Sequence, residues 1–215
     1  MNAYAISALV LALIATFGLV IHSSLPRTGR IRAGFFCFYT NLSNLLIILY
    51  EFTLFTAAVL KAQAVYGAVT NSTVAMSMVA AIWVTHLIYH FVLMPSARRG
   101  GIKLADTADE KVGNVFVHYI TPLLTLLQWL IWADKSGLTV LSALAWLIIP
   151  LLYFAFAMLR ARTGRPIGNT SLLYPYPFLD LPALGAREFR KRIGILLGFF
   201  FILGLILAGV GSLIG

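Results

Sequence analysis

The stretch FYTNLSN, residues 38–44, sets Thr40, Ser43 and Asn44 inside an otherwise apolar run. Offsets of three and four place them on one helix face, with Asn41 pointing elsewhere. His86 and His90, four apart, share a face in the same way, and so do His118 and Thr121, three apart. A hydroxyl beside an imidazole is the minimum for nucleophilic catalysis, because the hydroxyl is inert until a neighbouring base takes its proton. The amide of Asn44 or the hydroxyl of Ser43 could then donate to the developing oxyanion in a dry site. The same atoms permit metal chemistry. His86, His90 and His118 offer the three ligands of an open zinc site, with Asp180 as a possible fourth group. No HExxH-type motif supplies that site with a general base, whereas the hydroxyl–imidazole scheme needs neither metal nor cofactor.

The elements that must position these residues are membrane helices. Of the 215 residues, 60% are hydrophobic and 11% charged, where a soluble domain carries about a quarter charged residues. Apolar runs of bilayer-crossing length recur at 3–22, 35–59, 73–94, 114–132, 138–159 and 193–213. No internal repeat or linker divides the chain, so the expectation is one all-α domain spanning residues 1–215. The first run lacks a basic leading segment and a clear cleavage site, and reads as a retained helix. A single cysteine, Cys37, excludes an internal disulfide framework.

The net charge of +9 is distributed by topology. Of the 16 Lys and Arg residues, all but Lys61 and Lys135 fall in the first, third and fifth connections, Lys103 among them. The positive-inside rule makes those connections cytoplasmic and places both termini outside. Basic loops beside anionic headgroups require no nucleic acid, and the sequence specifies no oligomeric state.

This topology brings the polar residues to matched depths. Thr40 enters from the basic side about five residues into its helix, roughly 8 Å deep at 1.5 Å per residue. His90 and His118 fall in the same layer on two other helices, with Asn44, His86 and Thr121 one turn deeper. Interhelical glue is the competing account of any one of them, at about 0.6 kcal/mol per hydrogen bond, but intramembrane histidines are rare enough that three at one depth point to a site. The fifth connection holds LLYPYPFLDLPALG, whose prolines preclude a regular helix. Its Tyr174, Tyr176 and Phe178 are too apolar for a solvated loop, so the segment, Asp180 included, is expected to fold over the site as a lid. Glu51 lies nearer the other end of its helix with no evident charged partner. His22 reads as an interfacial residue, and Gly194, Gly198, Gly204 and Gly209 as close-packing positions.

FYTNLSNLL, NVFVHYITPLL and YPYPFLD occur in that order. Together they resemble the androgen-induced and androgen-dependent family of transmembrane threonine hydrolases and its bacterial six-span relatives. The resemblance implies hydrolysis of fatty acid esters of hydroxy fatty acids. Its catalytic pair is a threonine early in the second helix and a histidine four residues after an asparagine near the start of the fourth. The matching positions are Thr40 and His118, the latter four residues after Asn114. The continuation TNLSN is more polar than in the animal hydrolases, which keeps Ser43 as a rival nucleophile. The reading is therefore a six-helix lipid ester hydrolase whose partners are membrane lipids and an ester substrate. Its rival is a non-catalytic lipid-binding or transport protein, and a zinc-dependent lipid hydrolase is third. For the topology, a reporter active only in the cytoplasm and fused to Gly215 is expected to give no signal; strong signal would invert the orientation.

Overall fold

In lipid, a chain satisfies its backbone polar groups by forming helices or closed barrels, and runs of roughly 20 apolar residues suit the former. A computed structural model describes residues 2–100, 105 and 107–214; Lys103 of the third connection lies outside the described residues. Among these residues six helices are long and apolar enough to cross a bilayer: α1 (Ala3–His22), α2 (Tyr39–Val59), α3 (Ser72–Arg98), α4 (Ala108–Trp132), α5 (Val140–Arg162) and α6 (Leu181–Ile214). The protein is an all-α, multi-pass membrane protein.

Several helices run past the ends that hydropathy marks, because their caps lie beyond the apolar run. The side chain of Thr107 accepts from the Glu110 N–H and starts α4 six residues before Asn114. Asp180 Oδ1 accepts from the Ala183 N–H at 3.1 Å, which starts α6 well ahead of residue 193. Gly185 then breaks that helix locally at φ 72°, ψ 156°, a conformation open to glycine. Conversely, α2 starts later than residue 35. Phe35–Cys37 form a 3-10 turn, and Phe38 is extended before the helix begins at Tyr39.

Two of the helices carry a π-helical turn. Tyr89–Leu93 in α3 and Phe116–Ile120 in α4 are π-helical, with the Met94 N–H bonded to the Tyr89 carbonyl and the Thr121 N–H to that of Phe116. A proline follows each segment at the same offset, Pro95 and Pro122. Proline has no N–H to give to the preceding turn and its ring crowds the carbonyl there, and a widened turn relieves both problems.

The helix α1 packs tightly against α2 and α4. Its Ala5, Ala8, Ala12 and Ala15 are fully buried and let neighbouring backbones approach, which is how membrane helices gain packing where lipid is as apolar as the interface. The α1 and α4 backbones come close at the arginine-rich face, where a Cβ on Gly113 would lie 2.5 Å from the His22 Cα. Of the four α6 glycines expected at close contacts, only Gly204 meets one, with Trp146; a Cβ on Gly194, Gly198 or Gly209 would have nothing within 4 Å. Those three face away from the bundle, where residue type is not constrained by packing.

The connection between α5 and α6 is ordered. The Arg160 guanidinium donates to the carbonyls of Leu173, Arg165 and Pro166 at 2.9, 2.7 and 2.8 Å. Ile167 and Leu179 are buried, and Tyr176 packs edge-on to Phe38 and Tyr153 and stacks on Phe178. At the same face Arg27 pairs with Asp109 at 3.0 Å and Arg32 with Glu110 at 3.2 Å, joining the first connection to the start of α4.

Gly113→Ala is expected to lower the melting temperature of the detergent-solubilised protein, costing about 1–3 kcal/mol by overpacking against the α1 backbone. Gly198→Ala should leave it unchanged.

Candidate functional site

Proline at position 122 leaves two backbone acceptors short of a donor. In α register its N–H would have served the His118 carbonyl, and in π register that of Val117. Side chains from two other helices take both. Asn44 Nδ2 donates to the Val117 carbonyl at 3.1 Å, and His86 Nδ1 bonds the His118 carbonyl at 2.8 Å. A carbonyl only accepts, so His86 carries its proton on Nδ1. Asn44 Nδ2 also donates to the Thr40 carbonyl at 2.8 Å. One amide thereby ties the start of α2 to the π segment of α4.

Around this hub the expected residues separate into two groups. On the inner side, the Ser43 and Thr85 hydroxyls are 2.8 Å apart, and Ser43 also donates to the Thr40 carbonyl at 3.1 Å. The His118 ring is buried, stacked on Tyr89 with centroids 3.8 Å apart and planes 14° from parallel. His22 lies edge-on to it at 6.3 Å. His22 is buried rather than interfacial, because Gly113 lets α4 close over it. The Nδ1 atoms of both rings, and Thr121 Oγ1, are buried without a hydrogen-bond partner.

On the outer side lie His86 and His90, which do not share a surface with Thr40. Their rings stack at 5.9 Å, and His90, exposed, bonds the Tyr119 hydroxyl through Nδ1 at 3.0 Å. The three histidines were expected within one turn of each other in depth, but they differ in azimuth around the helices. A zinc set of His86, His90, His118 and Asp180 is not assembled, since Asp180 caps α6. Among the described residues no group of three or more His, Cys, Asp or Glu side chains is arranged to hold a metal ion. Asn41 points away from the stripe, donating to the Phe35 carbonyl at 2.7 Å.

Thr40 opens onto a cavity of about 160 Å³ between α2, α3, α5, α6 and the ordered connection. Its walls are Val, Ile, Leu, Phe and Pro side chains, relieved by the hydroxyl-bearing Thr40, Thr85, Tyr39, Tyr153 and Tyr176. An apolar void of this size accepts a benzene-sized group. Tyr176 brings the connection onto Thr40: burial pushes its phenol above the ordinary value, while hydrogen bonding to the Thr40 side chain and backbone opposes this. Tyr174 packs with the surrounding core. His118 is not among the cavity-lining residues, and no hydrogen bond between the Thr40 and His118 side chains is present among the described residues. Thr85 stands between them. It lines the cavity, bonds Ser43 and contacts His118 through its backbone.

Sequence reasoning missed Thr85 and Tyr89. Thr85 directly precedes His86 and sits at the depth of Ser43 when α3 runs antiparallel to α2, a signal that was present. Tyr89 carried none, because its ring reaches His118 only through the π-helical turn. Glu51 does have a partner, the neutral amide of Gln128, which donates to its Oε2 at 2.9 Å.

No family model matches the chain, and comparison with curated proteins and with solved structures finds no match to either.

Asn44→Ala would strip the Val117 carbonyl of its donor inside the bundle. The expected loss is about 1–3 kcal/mol of stability, read as a lower melting temperature in detergent. Thr53→Ala is the comparison, since that hydroxyl only returns to its own helix at the Leu49 carbonyl, and should stay within about 0.5 kcal/mol.

Proposed function

We propose that this protein is a lipid ester hydrolase working within the bilayer, with Thr40 as nucleophile and His118 as general base. The observation that carries the reading is the Thr40 hydroxyl on the wall of a cavity that is otherwise almost wholly apolar. An acyl chain in that cavity would bring its ester carbonyl to the few hydroxyls available. The Thr40 oxygen would attack the carbonyl carbon as its proton passes to His118. The alkoxide leaving group would then recover that proton, and water would release the acyl group from Thr40. Both Asn44 N–H groups are engaged by carbonyls, so the Tyr176 hydroxyl, beside Thr40, is the better donor to the oxyanion. Asn44 instead holds the nucleophile's helix against the base's helix.

The threonine-hydrolase resemblance agrees with this pairing and suggests fatty acid esters of hydroxy fatty acids as substrates. The arginine-rich face would be cytoplasmic and both termini outside, so a charged substrate end would meet the arginines. Catalytic hydrogen bonds in unliganded sites often tighten only when substrate binds, which is how Thr40 and His118 would come into contact. Their lack of a direct hydrogen bond favours a second reading, a lipid-binding or transport protein that grips an acyl chain without cleaving it.

Ester turnover by the purified protein decides between the two. Thr40→Ala and His118→Ala should each reduce it about 100-fold or more, and the double variant should be scarcely worse than either single one. Ser43→Ala should retain activity, and a fluorophosphonate probe should label Thr40. A lipid-binding protein would instead show no turnover and no labelling, with the Thr40→Ala variant weakened only in acyl-chain retention.

A further inference from the structure

Glu51 is fully buried in α2, two turns from the end opposite the arginine-rich face. Its surroundings are Gln128 from α4, which bonds it, Ser7 from α1, which bonds that amide, and the phenols of Tyr4 from α1 and Tyr50 from its own helix, within electrostatic reach. None is cationic. Gln128 Nε2 donates to Glu51 Oε2 at 2.9 Å and lies 3.2 Å from Ser7 Oγ. Oε1 is buried with no hydrogen-bond partner at all.

An ion held by one neutral amide in hydrocarbon is far costlier than the neutral acid in the same place. The protonated carboxyl therefore suits this site. Interhelical glue alone needs no ionisable group, because any of several uncharged side chains could serve that purpose at lower cost.

The surroundings also supply a route for the proton. The Tyr4 hydroxyl is 3.4 Å from that of Tyr50, which donates to the Val69 carbonyl at 2.9 Å. Tyr4 also lines a cavity of about 600 Å³ at that end of the bundle, together with Tyr66, Asn71 and Asp134. The Tyr4 phenol lies within electrostatic reach of Glu51 and lines that polar cavity, so it stands between the buried acid and the cavity.

We propose that Glu51, with Tyr4, Tyr50 and Gln128, forms a buried proton-binding site that exchanges with the cavity beside Asp134. The site is independent of Thr40 and its assignment, and would serve a hydrolase or a lipid carrier alike.

The apolar reagent dicyclohexylcarbodiimide tests it on the wild-type protein in oriented vesicles. The O–H of a carboxylic acid adds across one C=N bond of the reagent, and the acyl group then shifts from oxygen to nitrogen. The resulting N-acylurea contains every atom of both reactants, and a carboxylate does not form it. Peptide mass mapping should find the adduct on Glu51. Its rate should fall about ten-fold per pH unit once the acid is mostly ionised, and raising the pH on the Asp134 side alone should suffice. Absence of the adduct, a rate that ignores pH, or a rate that follows only the arginine-side pH would overturn the proposal. Because wild-type protein reports each outcome, the result does not depend on whether Glu51→Gln folds.

Discussion

Backbone polar groups in hydrocarbon must find partners inside the protein, and two prolines make that requirement local and severe. Pro95 and Pro122 each follow a π-helical segment at the same offset. At Pro122 the freed carbonyls are claimed by Asn44 from α2 and His86 from α3. These bonds bind three helices at one level and fix where His118 stands. An unsatisfied carbonyl there would cost about 1–3 kcal/mol, so the arrangement of the whole arginine-side half depends on them.

The division of the polar residues follows from that junction. His86, committed to a backbone carbonyl, turns with His90 towards the outside of the bundle, whereas Ser43, Thr85 and His118 turn inwards. Thr40 is carried round to the apolar cavity, where the ordered connection lays Tyr176 over it. Close approach of α4 to α1 at Gly113 buries His22 beside His118, so an imidazole that composition would leave at the surface joins the interior. The junction thus organises structure and candidate chemistry together, and much of the polarity in FYTNLSN serves both.

A second polar region occupies the other half of the bundle, and its logic differs. Carbonyls and amides hold the arginine-side cluster in fixed geometry, while around Glu51 the groups are phenols, hydroxyls and one amide with an acceptor to spare. The first region is built to hold position. The second sets an ionisable carboxyl within electrostatic reach of phenols, the groups that proton exchange uses.

Hydropathy alone determined the class of protein and the number of spans, because bilayer thickness sets helix length. Rise per residue then gave each polar residue an expected depth. The spacing of Thr40, Ser43 and Asn44 likewise determined a shared face, and aromatic content marked the last connection as ordered. Helix ends were less legible, since Thr107 and Asp180 cap helices in segments that hydropathy does not see. Azimuth was decided only by the tertiary structure. Depth is one-dimensional and written along the chain, but which side of a helix faces which neighbour depends on packing against small residues and on two π turns that shift the rotation of everything around them. That is why His86, His90 and His118 could be ranked by depth from the sequence, yet only the fold could separate the first two from the third.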